Sequence, residues 1–200
     1  MQTLLIASSN AGKLREFQTI LQDLGVRLVL PADIGVQIQV EEDGTTYYEN
    51  ALKKALAYCA VSGLITIADD SGLEVDALEG APGLHSARYS PKPGATDADR
   101  RQYLLQQLAN HPPPWLAHFH CNLIVALPDG EHHTFEGNCY GEIIPQERGE
   151  HGFGYDPIFL LPDRNLTMAE LPEEEKNRIS HRGRATLNAL PTLKKILKIE

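Results

Sequence analysis

The chain has few cysteines, no long apolar run and no surplus of positive charge, and each shortage excludes a class of protein. Its three cysteines, Cys59, Cys121 and Cys139, are odd in number, far apart and without a CxxC pair. They fit buried thiols in a reducing cytoplasm better than a disulfide framework or a zinc site. No stretch approaches the roughly 18 apolar residues that a membrane span needs. The segment Met1-Gln2-Thr3-Leu4-Leu5-Ile6-Ala7 lacks the basic residues and long apolar core of a secretory signal, and it reads as a first strand. Lys and Arg number 18 against 27 Asp and Glu, a formal net charge of −9. That balance does not suit a protein gripping nucleic acid through its whole surface. A small polyanion is still a fitting ligand, because a pocket needs only a few local cations. Internal repeats, low-complexity tracts and linkers are also missing, so residues 1–200 are expected to form one α/β domain.

What is present alternates strand and helix signals. Residues 3–8 read as a strand, and Leu14, Phe17, Leu21 and Leu24 predict a helix from about Gly12 to Leu24. A connection with extended character follows near 28–40. Thr46-Tyr47-Tyr48-Glu49 has the capping-box form and opens a second helix, with Ala51, Leu52, Ala55, Leu56 and Cys59 as its buried stripe. Thr96-Asp97-Ala98-Asp99 caps a third helix running to about Asn110, where His111-Pro112-Pro113-Pro114 ends it. Residues 117–127 and 132–144 read as paired strands around Pro128-Asp129-Gly130. A glycine-rich loop at 146–156 leads to a short strand at 157–161, and the tail from about Ala169 is helical with a kink or break at Pro191. His118, His120, His132 and His133 are explained as partly exposed strand positions more simply than as metal ligands.

The densest chemistry lies in Leu64-Ile65-Thr66-Ile67-Ala68-Asp69-Asp70-Ser71-Gly72. An apolar run reads as a buried strand, and Asp, Ser and Gly are expected to stop it. Ligands of open α/β sheets sit beyond such strand ends. Two adjacent carboxylates repel, and a shared proton, a basic partner or a divalent cation relieves them. Near the first strand, Ser8-Ser9-Asn10-Ala11-Gly12-Lys13 joins strand to helix through a polar loop, an arrangement that favours phosphate through free N–H groups and the helix dipole. It is not a Walker A loop, because the leading glycine is missing and Leu14 follows Lys13. Glu41-Glu42-Asp43-Gly44, followed by Glu49, Asn50, Lys53 and Lys54, adds acids before a helix start. Finally, Phe153-Gly154-Tyr155-Asp156 offers aromatics able to stack on a base, and Lys176 to Arg182 offers cations and a histidine.

These segments resemble the inosine/xanthosine triphosphate pyrophosphatase family. The resemblance rests on Ser9-Asn10-Ala11-Gly12-Lys13, Ala68-Asp69-Asp70-Ser71-Gly72-Leu73, and Pro82-Gly83 with Ser86-Ala87-Arg88-Tyr89. It extends to Phe153-Gly154-Tyr155-Asp156-Pro157 and Ser180-His181-Arg182, in family order over nearly the whole chain. Ser8 stands where many members carry Thr, which keeps the hydroxyl. The resemblance implies an α/β fold with a long mixed sheet flanked by helices, two lobes around a central nucleotide-binding cleft, and a homodimer. It also implies Mg²⁺-dependent hydrolysis of ITP, dITP and XTP to the monophosphate and pyrophosphate. Ser8, Ser9, Asn10, Ala11, Gly12 and Lys13 would then hold the triphosphate, and Glu41 and Asp70 the metal. Asp70 would also accept the proton of the attacking water. Ser71, Phe153, Gly154, Tyr155, Asp156, Lys176, His181 and Arg182 would contact substrate. Glu42 and Asp69 are neighbours able to exchange roles with Glu41 and Asp70, and Lys54 is a further phosphate candidate.

The chemistry is coherent on its own terms. Attack at the α-phosphorus needs an activated water, and departing pyrophosphate needs cations to receive its charge. A donor from His181 or Arg182 would favour a 6-oxo purine over adenine by about 1–3 kcal/mol, although guanine shares the oxo group. Two rival readings use similar parts: a γ-phosphate-cleaving NTPase or kinase, for which the Walker residues are missing, and a non-catalytic purine nucleotide-sensing module.

Overall fold

A computed structural model describes residues 2–199. The first strand, β1 (Thr3–Ile6), is apolar and buried because it lies inside a sheet covered on both faces. Helix α1 (Ala11–Leu21) follows, closed by a short 3₁₀ turn and by Gly25 in the left-handed conformation. Strand β2 (Arg27–Val29) gives the 28–40 connection its extended start and pairs parallel with β1. Helix α2 (Tyr47–Ser62) starts as its capping residues predict, with the Thr46 hydroxyl accepting from the Glu49 N–H at 3.1 Å. The Glu49 carboxylate closes on the N–H of Thr45, one residue earlier than the simple box pattern.

Strand β3 (Ile65–Val75) corrects the expectation that Asp69 and Asp70 end the strand. It continues through both and through Ser71 and Gly72, because tertiary partners satisfy the polar side chains that propensity alone disfavours. Helix α3 (Asp97–Leu108) has a full capping box between Thr96 and Asp99 and stops two residues short of Asn110. Strands β4 (Trp115–Ala126) and β5 (His132–Ile143) flank a turn at Gly130, whose φ is 92°. Strands β6 (Phe159–Leu161) and β7 (Leu166–Thr167) are short, and the chain ends in α4 (Glu173–Ile179) and α5 (His181–Leu197). Helix α5 runs through Pro191 without ending. The carbonyl that the proline leaves unbonded, four residues earlier, belongs to Leu187, whose side chain is among the exposed apolar groups. Water reaches that turn.

The seven strands form one mixed sheet in the order β2-β1-β3-β4-β5-β6-β7, parallel at β2-β1-β3 and antiparallel at β5-β6-β7. The chain divides into two compact units. The first comprises residues up to Asp70, Cys121–Gly137 and those from His181 onward, and it carries two cores. Leu4, Ile6 and Ile67 pack with Phe17 of α1 and Ala185, Ala189 and Leu193 of α5, while Ala7, Ala68 and Ile124 pack with Ala51, Ala55 and Cys59 of α2. The sheet of this unit is therefore sandwiched between helices. In the second unit, Ser71–His120 and Asn138–Ser180, a core of Leu73, Leu104, Phe119, Tyr155, Phe159 and Met168 seats α3. No helix among the described residues is long and apolar enough to cross a membrane.

Candidate active site

Because β3 continues, strand alternation separates its two carboxylates. Asp69 follows Ile67 onto the face covered by α1 and α5, and Asp70 follows Ala68 onto the face covered by α2. The repulsion anticipated for adjacent acids is relieved by sending them to opposite faces, each with its own partners. Asp69, 1% exposed, receives Lys13 Nζ at 2.9 Å and Arg182 Nε at 3.0 Å on Oδ2. Burial would raise its pKa, but Arg182, Lys13 and Lys54 outweigh burial and hold the carboxyl far below the usual carboxylate range. Arg182 is 2% exposed and also donates through Nη1 to Glu16 Oε2 at 2.7 Å. Burial alone would lower the guanidinium pKa, and Asp69 and Glu16 raise it instead. Two cations and two anions thus share one buried cluster, the form in which buried charge is tolerated.

Asp70 is different. Its Oδ2 accepts from Asn50 Nδ2 at 3.0 Å, and the Asn50 carbonyl oxygen accepts the Gly44 N–H at 2.8 Å. Burial raises the Asp70 pKa, and Asn50, Lys54 and Lys13 only partly offset it. Glu42 adds to the rise. Lys54 Nζ bonds Glu42 Oε1 at 2.5 Å, and its pKa is raised by Asp69, Glu42 and Asp70 despite the opposing effect of burial. Of the two neighbouring glutamates, Glu42 is near enough to raise the Asp70 carboxyl. Glu41 lines a hollow of about 550 Å³ with Gln39, Val40, Lys53 and Ala57.

The loop before α1 is exposed at Ser9, Asn10 and Ala11. Asn10 caps the helix, its Oδ1 accepting the N–H groups of Gly12 at 2.8 Å and Lys13 at 3.2 Å, and Ser8 Oγ accepts from the Asn10 N–H at 3.1 Å. Two of the N–H groups read as open to phosphate are thus covered by the Asn10 carboxamide. Lys13 turns to Asp69. His181 opens α5 beside Arg182, and both are buried.

A second cluster lies in the other unit. Asp156 Oδ2 accepts the Phe153 N–H at 2.8 Å and Lys176 Nζ at 2.7 Å, and the Lys176 ammonium stands 4.9 Å from the centre of the half-buried Phe153 ring. Gly152 is required here, since a Cβ would lie 2.1 Å from Asp156 Oδ2. The Tyr155 hydroxyl donates to the Ser86 carbonyl at 2.9 Å and is buried, which makes it a packing residue in this loop. Ser71, on β3, belongs to this unit. Among the candidate residues, then, Lys13, Asp69 and Arg182 come together in the first unit, and Phe153, Asp156 and Lys176 in the second, while Asp70 bonds Asn50 on the opposite face of β3.

Sequence reasoning missed Glu16 and Arg101, named Asn50 beside the acidic segment without a role, and saw Asp97 only in a helix cap. Glu16 carried a usable signal, a charge beside Phe17 on the apolar side of α1. Asn50, Asp97 and Arg101 read as ordinary first-turn and surface residues of helices, and only tertiary contacts distinguish them. Four histidines lie on β4 and β5 with separate partners: His118 near Glu74 and stacked on Tyr140, His120 with Asn138, His132 with Tyr48 and His133 with Glu131. The three cysteines are buried and form no disulfide.

The profile of the Ham1 family matches residues 4–192. A dITP/XTP pyrophosphatase of Desulfotalea psychrophila is 45% identical over 195 residues, covering 98% of this chain and 86% of the relative. A protein of the same name from Bacillus subtilis is 42% identical over 99% of this chain and 98% of its own. A HAM1 protein from Coxiella burnetii, of known structure, superposes with a TM-score of 0.87 at 40% identity, covering 98% of this chain and all of that one.

Proposed function

Because the chain belongs to the Ham1 family, we propose that it is a Mg²⁺-dependent pyrophosphatase that hydrolyses ITP, dITP and XTP to the monophosphate and pyrophosphate. The observation that carries this reading is the division of labour between Asp69 and Asp70. Asp69 is bound to two cations at 2.9 and 3.0 Å and is held too acidic to take a proton. Asp70, raised by burial, is the better general base, because a base works best with a pKa closer to the working pH. In this reading an Asp70 carboxylate oxygen takes the proton of the water that attacks the α-phosphorus. Asn50, bonded at 3.0 Å, orients that carboxylate.

Asp70 and Glu42 offer hard oxygen donors of the kind Mg²⁺ takes, and one or two carboxylates with substrate phosphates are its usual protein share. When bound there, the ion would supply positive charge to the phosphates and acidify water. Lys13 and Lys54, with the N-terminus of α1, would receive the charge that develops on pyrophosphate. Asn10 would exchange its cap bonds for phosphate contacts. Phe153 would stack on the purine, with Lys176 and Asp156 fixing the ring. Lys176 would supply a donor suited to a 6-oxo group and unsuited to the amino group of adenine. A chain of this kind would act as a homodimer in the cytoplasm on small nucleotides.

The test is product analysis with dITP and Mg²⁺. Pyrophosphate and dIMP in equal amounts support the reading, and dIDP with orthophosphate rules it out. Nucleotide binding without any turnover would favour a sensing module instead.

A further inference from the structure

The loop that carries Phe153 is gripped from α3 at a single residue, Gly154. Its N–H donates to Asp97 Oδ2 at 2.8 Å, and its carbonyl accepts from Arg101 Nη1 at 2.8 Å. Asp97 and Arg101 are four residues apart on α3, so they present an acceptor and a donor on one helix face. Arg101 is itself fixed, with Nε and Nη2 donating to the two carboxylate oxygens of Glu147 at 2.8 Å each. Such a two-pronged ion pair sets orientation as well as charge. The Asp97 carboxyl stays below its usual range: burial pushes it up, and the Gly154 N–H and Arg100 outweigh that push.

This grip answers a difficulty in the sequence. Phe153 stands between Gly152 (φ 76°) and Gly154 (φ 62°), a pairing that would leave its ring loosely placed. A Cβ at Gly154 would meet nothing within 4 Å, so crowding does not restrain the residue. The two side chains of α3 restrain it, beside the Asp156 carboxylate that accepts the N–H of Phe153 itself. A ring fixed in advance binds a flat partner without the entropy cost of ordering it. We propose that Asp97 and Arg101 are positioning residues that hold the Phe153 ring as a preformed stacking platform for the purine base, with Glu147 holding Arg101 in place. The proposal rests on the nucleotide reading given above.

The decisive variants are Arg101→Ala and the pair Asp97→Ala and Asp97→Asn, because asparagine keeps a carbonyl oxygen for the Gly154 N–H. With ITP, Arg101→Ala and Asp97→Ala are expected to raise KM about ten- to a hundredfold with kcat little changed, the signature of lost binding common to ground and transition states. Asp97→Asn restores most of the loss. Inorganic tripolyphosphate, which has no base, inhibits all forms with the same constant. An unchanged KM overturns the proposal, as does a parallel loss of kcat and tripolyphosphate affinity, which marks general damage to the fold. Hydrogen exchange at the Gly154 amide, measured without nucleotide, reads the clamp independently of any reaction. It is slow in the wild type and in Asp97→Asn and fast in Asp97→Ala, and equal rates in all three refute the clamp. If the wild-type chain releases no pyrophosphate from ITP, the assigned reaction fails, and the exchange rates still decide whether α3 holds the loop.

Discussion

Asp70 combines a raised pKa, one neutral partner in Asn50 and a nearby acid in Glu42, and these properties separate its role from that of Asp69. A carboxyl raised in the folded state subtracts stability above its unfolded pKa of about 3.9. Asp70→Asn is therefore expected to leave Tm at neutral pH unchanged or slightly higher while lowering kcat by about 10²–10⁴-fold. Calorimetry and a pyrophosphate assay on one preparation check both halves. Asp69 has the opposite sign. Its pKa is lowered on folding, so its stabilisation is complete above about pH 3.9 and is lost as pH falls through the lower folded value. Denaturation followed from pH 6 down to about pH 2 should show wild type losing stability more steeply than Asp69→Asn, and equal slopes would contradict the pairing. Arg182 is one of two residues, with His181, that the sequence offers as a base donor, and its Nε and Nη1 bond Asp69 and Glu16. Arg182→Ala leaves two buried carboxylates without that partner, a loss of about 3–5 kcal/mol. ITP and ATP should weaken in parallel, and a narrowed ITP-to-ATP ratio of kcat/KM would return Arg182 to the base.

At the scale of elements, helices were legible where a cap and an apolar stripe agreed, as at Thr46 with Ala51, Ala55 and Cys59. Strands were legible where apolar runs met turn residues, as at Pro128-Asp129-Gly130. The end of β3 was not legible, because propensity counts Asp69 and Asp70 as strand breakers and does not see Lys13, Arg182 and Asn50 satisfying them. The passage of α5 through Pro191 was hidden for a related reason, since it depends on which side of the helix faces water. A close approach that periodicity also could not reveal joins β5 to α5. A Cβ on Gly137 would lie 2.1 Å from the His181 carbonyl oxygen and 2.6 Å from the Ala185 nitrogen. Backbone cannot yield as a side-chain tip can, so Gly137→Ala should destabilise the chain by about 1–3 kcal/mol. Urea unfolding measures this, and an unchanged midpoint would mean that the strand can move aside.

At the scale of the molecule, the alternation of strand and helix made an α/β fold legible, while the strand order did not follow, because pairing of distant strands is decided by tertiary packing. The net charge of −9 conceals Lys13, Lys54 and Arg182, which gather around the acids of β3. In the proposed function, these local cations are what lets an acidic chain hold a polyanion. The central claim is that a water activated at Asp70 attacks the α-phosphorus of a deaminated purine triphosphate. Hydrolysis of ITP with Mg²⁺ in water enriched in oxygen-18, followed by mass analysis of both products, tests it most directly. The account predicts one pyrophosphate per IMP, with the heavy oxygen in IMP; heavy oxygen in pyrophosphate, or IDP with orthophosphate as products, would contradict it.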